Sequence, residues 1–423
     1  MKRIAIIGAG AAGLSFAYFL SKATRDRFTC LLLDPDEKSD NDRTWAYWGT
    51  PFGFDHLVSH RWDTLRLRDA GRDESVITSS EGYRYIPADR FYRVCKKQLQ
   101  GDSRFSFIRG RVESIRQDTK GVALSYRKFH AEPEEPFGIQ RLLEADLVFD
   151  SVFGPKTDDP ALLRQSFVGW EIRCAEPLWD SRQATLMDFD SEAIPSGLKF
   201  FYVLPANARR ALIEYTIVGE SCPTADYLER RLERYLDELA EGKRWEILRR
   251  EKGTIPLYMN RAPERDGRIY RLGVAAGAAR PSTGYAFRSI VETSRSLAAE
   301  IASRLHEPTM AMPQVRLPLH LGRRARFFDA VFLELLLREP EQVPTALLRL
   351  FERNRSDRVF RFLSGASTIR DEISVVTSLP WGPFIKALLR LAGRRWSGEE
   401  SRYPRPIKYP SGSISSRRIR SSS

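Results

Sequence analysis

The chain has 423 residues, more than one small hydrophobic core accommodates, so its length favours two or three domains. Hydrophobic residues make up 42% of the chain, which excludes disorder of the whole molecule, and no period of 20–50 residues indicates a repeat protein. The net charge of +13 suits an anionic partner. Segment 394–423 holds eight basic residues against two acidic ones.

The cysteines and histidines argue against a metal site and against a disulfide framework. The four cysteines lie far apart without a Cys-x-x-Cys pair, and His56 and His60 form a pair without flanking ligands. No secretory signal follows Met1, and no stretch of about 18 uncharged apolar residues predicts a membrane span. We therefore expect a protein of the cytoplasmic side.

The first predicted elements form a βαβ unit. An apolar run at residues 3–7 predicts a buried parallel strand, residues 11–23 predict a helix, and residues 28–33 predict a second buried strand that ends at Asp34. The unit has the length of about 30 residues that is typical of βαβ motifs.

The first turn of this unit carries a Gly-x-Gly-x-x-Gly motif at Gly8, Gly10 and Gly13. The first glycine permits a tight turn, the second lets the backbone approach a pyrophosphate, and the third allows close packing of helix and strand. The helix N-terminus offers N–H groups to phosphates, and Asp34 is placed to accept hydrogen bonds from a ribose. An aspartate disfavours a 2′-phosphate, so the motif favours FAD or NAD over NADP. A glycine-rich turn without a ligand is the alternative.

Strand patterns dominate the middle of the chain and helical patterns its end. Strands are predicted at residues 104–108, 122–126, 147–149, 199–204, 211–217 and 271–276. Helices are predicted at residues 220–251, 287–305, 327–337, 345–353 and 383–392. The predicted fold class is therefore α/β, with a mixed β-sheet after the first unit and a C-terminal helical segment.

Two further segments contain residues that suit a binding site. In segment 41–48, Arg43 can pair with a phosphate or a carboxylate, although a core strand with a polar turn explains the pattern equally. The loop at 273–287 contains Gly277, Thr283 and Gly284, and its small residues let the backbone pass close to a flat cofactor. An ordinary βα loop is the alternative.

Glu214 stands in an otherwise apolar strand pattern. Leu212 and Thr216 are expected to share its face, and Ile213 and Tyr215 to share the other. Burial would raise the pKa of the Glu214 carboxyl and keep a proton available near neutral pH, which makes it a candidate general acid. An edge-strand glutamate that faces water is the alternative.

Taken together, these segments resemble the lycopene cyclase family of flavoproteins. The similarity extends to residue 365 or so, and the segments Asn-Asp-Arg-Thr-Trp at 41–45 and Pro-Ser-Thr-Gly-Tyr at 281–285 are more specific than the glycine motif. It also includes residues 165–172, 184–189 and 214–216. The family motif Phe-x-Glu-Glu-Thr has its counterpart in Leu-Ile-Glu-Tyr-Thr, so Glu214 matches the first acid and Tyr215 stands at the second.

The resemblance implies a fold like that of para-hydroxybenzoate hydroxylase, with a Rossmann-like FAD-binding domain and a mixed β-sheet substrate domain. It implies lycopene β-cyclase activity in carotenoid biosynthesis, which converts the acyclic ends of lycopene to β-ionone rings. This isomerase reaction has no net redox change, yet it needs reduced FAD, with NADPH as the reductant. The implied catalytic residue is Glu214. The implied FAD-binding residues are Gly8, Gly10, Gly13, Asp34, Arg43, Gly277, Thr283 and Gly284.

This resemblance also suggests a domain organisation. We expect residues 1–155 to form the first part of the FAD-binding domain, with an inserted segment at about 50–90. Residues 156–262 are expected to form the substrate domain, and residues 263–305 to return to the FAD-binding domain. A helical, membrane-associating segment is expected at 306–395, and a disordered basic tail at 396–423.

Cyclisation begins with protonation of a terminal alkene, which requires an acid in a dry pocket. Aromatic faces and an anionic reduced flavin can stabilise the resulting cation. Two roles stay open for Glu214: it delivers the proton, or it positions a proton that the flavin delivers. An FAD-dependent monooxygenase or isoprenoid reductase of the same fold is an alternative function, and so is a non-enzymatic carotenoid- or membrane-binding protein.

The implied carotenoid substrate resides in the bilayer, so we expect peripheral attachment to a membrane surface and no nucleic-acid partner. Apolar residues recur at helical spacing at 327–336 and again at 381–389, and the basic tail suits an anionic surface. Ordinary core stripes and a solvated tail are the alternatives.

Overall fold

The computed structural model describes residues 1–49, 51–69, 73–118, 121–129, 139–152, 163–192, 196–257, 265–306 and 322–396. The strands are β1 (Lys2–Ile7), β2 (Phe28–Asp34), β3 (Thr44–Trp48), β4 (His60–Asp69), β5 (Asp73–Pro87), β6 (Phe105–Gln117), β7 (Val122–Lys128), β8 (Ile139–Ala145), β9 (Leu147–Asp150), β10 (Leu163–Cys174), β11 (Gln183–Phe189), β12 (Leu198–Asn207), β13 (Arg210–Gly219), β14 (Trp245–Leu257), β15 (Arg265–Asp266) and β16 (Ile269–Arg271). The helices are α1 (Ala11–Ala23), α2 (Ala88–Gln100), α3 (Ala225–Ala240), α4 (Phe287–Arg304), α5 (Arg323–Arg338), α6 (Val343–Glu352), α7 (Ser356–Leu363), α8 (Ile369–Ser378) and α9 (Trp381–Trp396).

The first sheet has the strand order β15-β16-β9-β1-β2-β6-β7-β8. Strand β1 pairs in parallel with β2 and β9, and β2 pairs in parallel with β6, which places the βαβ unit at the centre of this sheet. Helices α1, α2 and α4 bury their apolar sides against one face. The antiparallel strands β7 and β8 fold over the other face, where Val122 and Leu124 pack with Ile7.

The second sheet has the order β14-β10-β13-β12-β11-β4-β5-β3, and it is antiparallel apart from the β4–β11 pair. Helix α3 covers one face, with Leu228, Leu232 and Leu236 packed on alternate side chains of β10, β12 and β13. The remaining alternate side chains face helices α5 to α7 across a second core. The functional cavity described below lies on this second side.

The structure confirms the predicted α/β class, and it also corrects two predicted elements. The helix predicted at 220–251 is wrong beyond Ala240, because Glu241 and Gly242 adopt left-handed conformations that end α3, and residues 245–257 form strand β14 on β10. The strand predicted at 271–276 is also wrong. Strand β16 ends at Arg271, and Gly273–Ala276 form a 3₁₀ turn that begins at a positive φ of 62°.

Several other features bear on the predictions. All four cysteines are free. Within the described ranges, none of the helices has both the length and the apolar character needed to cross a bilayer. Helix α9 ends at Trp396, and the rest of the predicted basic tail, residues 397–423, lies outside the described residues.

Candidate functional site

A cavity of about 870 Å³ lies between the first turn of α1, one face of the second sheet and the C-terminal helices. Gly10, Arg43, Glu214, Thr283 and Gly284 all line it, so the fold brings together predicted site residues that are up to 274 positions apart. Most of the remaining lining is apolar, with many aromatic side chains. This cavity can therefore accommodate a large, mostly hydrophobic molecule next to the glycine turn.

The glycine turn has different geometry at each of its three glycines. Gly8 has a φ of 90°, and a Cβ on Gly13 would lie 1.9 Å from the Gly8 carbonyl oxygen, so α1 packs directly on the turn. Gly10 caps the N-terminus of α1, and a Cβ there would meet no protein atom within 4 Å. The space in front of Gly10 thus opens into the cavity, where the α1 N-terminus presents its partial positive charge.

Asp34 supports the turn from the end of β2. It is buried, and its carboxylate accepts hydrogen bonds from the backbone N–H of Ala9 at 2.6 Å and of Asp36 at 2.8 Å. One carboxylate therefore ties the glycine turn to the second strand of the βαβ unit. Asp34 itself does not line the cavity, so its role as ribose acceptor stays a prediction.

Two basic side chains line the cavity close to this turn. Arg43 is exposed and donates to the carbonyl oxygen of Asp42 at 2.7 Å, and Lys38 forms ion pairs with Asp36 and Asp42. Arg43 and the α1 N-terminus offer positive charge that suits a pyrophosphate, whereas the charge of Lys38 is balanced by Asp36 and Asp42. The residues present therefore fit a dinucleotide such as FAD.

The loop predicted at 273–287 forms another part of the wall. Gly277 has a φ of 74° at the end of the 3₁₀ turn, and it does not line the cavity. Gly284 has a φ of 71°, and a Cβ there would lie 2.1 Å from Gln165 Oε1. Arg280 donates from Nε to Asp329 Oδ1 at 3.0 Å, so a buried ion pair joins this loop to α5.

Glu214 lies in the interior of the second sheet, because β13 runs between β10 and β12. This contradicts the alternative of an edge-strand glutamate facing water. Thr216 Oγ1 donates to Glu214 Oε1 at 2.7 Å, and in the described part of the chain no basic side chain forms an ion pair with Glu214. Burial and the nearby negative charge of Glu251 raise the pKa of Glu214 to about 8. Most Glu214 carboxyls therefore hold a proton at neutral pH.

Tyr215 faces the opposite side of the sheet. Its hydroxyl donates to Asp190 Oδ2 at 2.7 Å, and Arg231 of α3 donates to both oxygens of the same carboxylate. The alternation predicted for β13 is thus confirmed, with Leu212 and Tyr215 in separate cores. The residue at the second acid position does not reach the cavity.

Three tyrosines meet beside Glu214. Tyr202 stands directly opposite Glu214 in the β12–β13 pair, and its hydroxyl donates to the Tyr83 hydroxyl at 2.5 Å. The Tyr83 and Tyr285 hydroxyls share a further hydrogen bond of 2.7 Å, and Trp48 packs on Tyr285 at 4.2 Å between ring centroids. Burial raises the pKa of all three phenols, so they remain neutral, and all three line the cavity.

The sequence analysis did not identify several of these residues. Tyr83 and Tyr202 come from separate strands, and Glu251 lies within the segment predicted as helix. The pattern Leu198, Phe200, Tyr202 and Leu204 does alternate with period two, and it could have placed Tyr202 on the side of the cavity. No local signal connects Tyr83 or Glu251 with Glu214.

A sequence profile described as lycopene cyclase protein matches residues 3–389. The chain belongs to the lycopene cyclase family. The curated lycopene beta-cyclase of Pantoea ananas is 22% identical over 403 residues, which cover 90% of this chain and 96% of that protein.

Solved structures share the fold of this family member. A geranylgeranyl bacteriochlorophyll reductase-like protein from Thermoplasma acidophilum superposes with a TM-score of 0.61 at 10% identity, covering 93% of this chain and 98% of the other. A flavin-dependent brominase superposes with a TM-score of 0.59 at 13% identity, covering 94% and 100%. The p-nitrophenol 4-monooxygenase of Pseudomonas putida gives a TM-score of 0.54 at 15% identity, covering 93% and 98%. The predicted fold class is thereby confirmed.

Proposed function

We propose that this protein is a lycopene β-cyclase, which closes the acyclic ends of lycopene to β-ionone rings by acid catalysis without net redox change. The observation that carries the proposal is the position of Glu214, which lines a large, mostly apolar cavity of a lycopene cyclase family member, where burial raises the pKa of its carboxyl. Carbon–carbon double bonds are weak bases, so their protonation requires an acid held directly against the alkene in a pocket from which competing water is excluded.

The side chains around Glu214 support this chemistry. Thr216 holds one carboxyl oxygen, which leaves the other to carry the proton toward the cavity. The faces of Tyr202, Tyr83 and Tyr285 offer negative quadrupole density to the tertiary cation that protonation creates. The three phenols hydrogen-bond to one another, so their hydroxyl groups are partly satisfied within the cavity wall.

We further propose FAD as the cofactor, kept reduced by NADPH. Gly10 and the α1 N-terminus would hold the pyrophosphate, Asp34 the ribose, and Arg43 the phosphates, while Thr283 and Gly284 would approach the ring system. When bound, reduced FAD would supply negative charge that stabilises a cation in the cavity. The proposed domains follow from this assignment: the first sheet binds FAD, and the second sheet with the C-terminal helices binds substrate.

The substrate reaches such a cavity from a bilayer, so we propose peripheral attachment on the cytoplasmic side of a membrane. Exposed apolar residues on α8 and α9 define a surface that we call the α8–α9 patch: Ile369, Ile373, Val376, Trp381, Ile385, Leu388 and Leu389. Four of them, Val376, Trp381, Ile385 and Leu388, also line the cavity, so this patch is continuous with its wall. In contrast, Val331 and Leu335 of the predicted stripe on α5 are buried in the core.

A FAD-dependent monooxygenase or isoprenoid reductase is the alternative function, since proteins of those kinds share the fold. Expression of the chain in a host that accumulates lycopene tests the proposal. We expect monocyclic and bicyclic carotenoids in the pigment extract. Unchanged lycopene at normal protein levels, or oxygenated or hydrogenated products, would contradict it.

A further inference from the structure

A second carboxylate faces the cavity in the same row of the second sheet as Glu214. Gly169 of β10 pairs with Glu214 of β13 on one side and with Glu251 of β14 on the other. Directly paired residues of antiparallel strands project to the same face of a sheet. Two strand spacings of about 4.8 Å separate the backbones of β13 and β14, which is within reach of two glutamate side chains that lean toward each other.

Gly169 leaves the space between the two carboxyl groups free of side chain. A Cβ on Gly169 would lie 3.0 Å from Glu251 Cγ and 3.3 Å from Glu251 Oε1, so Glu251 leans over the glycine toward β13. Leu212, which shares the face of Glu214, would lie 3.5 Å from the same Cβ. Because Gly169 has no side chain, the Glu251 side chain can extend across β10 toward Glu214.

The two glutamates have different partners. Glu251 Oε2 accepts hydrogen bonds from Arg249 Nη1 at 2.6 Å and from Thr44 Oγ1 at 3.0 Å, and its side chain is 2% exposed. Arg249 also donates from Nε to Glu171 Oε2 at 3.1 Å, which fixes the guanidinium. A carboxylate held in this way by a fixed cation is stable in its ionised form.

We propose that Glu251 is a positioning residue for the acid: its carboxylate, anchored by Arg249 and Thr44, keeps the proton on Glu214 across Gly169. The inference rests on the proposed function of Glu214 as the acid. Tyr215, at the second acid position of the family motif, points to α3 and away from the cavity. The second carboxylate of the site is therefore assigned to Glu251 on β14.

Among the residues that the structure describes, the other groups that contact Glu214 are uncharged. Thr216 donates to its carboxyl, and Tyr202 and Tyr285 are neutral phenols at neutral pH. Burial raises the pKa of Glu251 as well, but Arg249, Thr44 and the more distant Arg43 oppose that rise. Of the two glutamates, Glu251 therefore ionises first, and its charge opposes ionisation of Glu214.

The test is an infrared pH titration of the full-length, flavin-loaded protein. The carbonyl stretch of the protonated Glu214 carboxyl is identified as the band that disappears in Glu214→Gln. We expect this band to titrate near pH 8 in the unmodified protein. In Glu251→Gln the midpoint should fall by about one to two pH units, because the like charge is removed and Arg249 remains. An unchanged midpoint would overturn the proposal.

Two variants separate charge from packing. Glu251→Asp retains the charge. The midpoint of the Glu214 band should therefore shift less in Glu251→Asp than in Glu251→Gln. Glu246→Gln is the matched control on β14, because Glu246 pairs with Arg173 at 2.9 Å on the exposed surface, and it should not move the midpoint. A shift in this control equal to that of Glu251→Gln would also overturn the proposal.

The titration does not depend on turnover, so it distinguishes this inference from the proposed function. A shifted midpoint in a protein that does not cyclise lycopene would refute the proposed function and leave the carboxylate pair intact. Normal cyclisation with an unshifted midpoint would refute the pair alone. The protonated form of Glu214 is the acid, so activity is lost as pH rises through its pKa. In Glu251→Gln this loss of activity should occur at a lower pH, together with the midpoint of the infrared band.

Discussion

At the scale of single residues, the neighbours Glu214 and Tyr215 differ in every property that matters for catalysis. Glu214 lines the cavity and holds a proton at neutral pH, whereas Tyr215 donates to Asp190 beneath α3. Strand alternation alone causes this separation, because consecutive side chains of a strand point to opposite faces. The two positions therefore form a matched pair for mutagenesis.

Glu214→Gln keeps the size of the side chain and removes the acid. General acid catalysis contributes about 10²–10⁴-fold, so we expect the cyclisation rate to fall by that factor. Flavin content should remain normal, since the glycine turn belongs to the other sheet. Pigment analysis and flavin absorbance measure the two quantities. A variant that produces normal amounts of cyclic carotenoid would show that Glu214 is not the acid.

Tyr215→Phe is the companion variant and should behave in the opposite way. Loss of its hydrogen bond to the buried carboxylate of Asp190 should lower the free energy of unfolding by about 1–3 kcal/mol. Its cyclisation rate should change less than threefold. Urea unfolding measures the stability and turnover measures the rate, both on the same preparation. A large loss of rate at normal stability would mean that the second motif position takes part in catalysis.

At the scale of elements, two glycines of the same turn should have different roles, Gly10 in cofactor binding and Gly13 in packing. Gly10 faces open space in the cavity, whereas Gly13 lies against the Gly8 carbonyl. We expect Gly10→Val to abolish flavin loading and to lower the stability of the apoprotein by no more than about 1 kcal/mol, because its backbone already has extended angles.

Gly13→Ala should instead destabilise the apoprotein by about 1–3 kcal/mol or more, since its new methyl group has no space beside the turn. Thermal unfolding of both apoproteins and flavin fluorescence after loading provide the comparison. Full flavin retention in Gly10→Val would contradict the assignment of this turn to the cofactor.

Elements with strong local patterns were predictable from the sequence. Helix α1 has the predicted bounds of residues 11–23, and β1 and β2 lie at the predicted positions, because a buried strand and a glycine turn each leave a local signature. Strand β14 was missed because its polar sequence, Trp245 to Glu251, is stabilised by pairing with β10, more than 70 residues away. Tyr83 and Glu251 were missed for the same reason, because they approach Glu214 only through long-range strand register, whereas the alternating pattern of β12 could have indicated Tyr202.

At the scale of the whole molecule, the α8–α9 patch gives the cavity a hydrophobic border. Trp381 is 59% exposed and Leu389 is 68% exposed. Lys386 and Arg390 of α9 form ion pairs with Glu339, and Arg370 of α8 is exposed. Exposed apolar side chains gathered on neighbouring helices are typical of surfaces that bind partners or membranes. The patch and the cavity together would allow a carotenoid to pass between bilayer and site without crossing water.

Ile369, Ile373 and Leu389 belong to the patch and do not line the cavity, so replacing them by aspartate tests attachment separately from catalysis. We expect the triple variant to bind vesicles with anionic lipid at least about tenfold more weakly, since each apolar side chain loses its burial in the interface. The control is Leu142→Asp on β8, a site of similar exposure at 67%. Equal vesicle binding by the triple variant and the control would contradict the proposed attachment.

The mass of the product formed in deuterated water distinguishes acid-catalysed cyclisation from a redox reaction. The purified protein is incubated anaerobically with reduced FAD and lycopene in vesicles, and the carotenoids are analysed by mass spectrometry. Protonation followed by proton loss predicts cyclic products with one deuterium per ring, and no reduced FAD oxidised in proportion to product. Cyclic products without deuterium, or products that have gained a pair of hydrogens as the flavin is oxidised, would contradict acid-catalysed cyclisation.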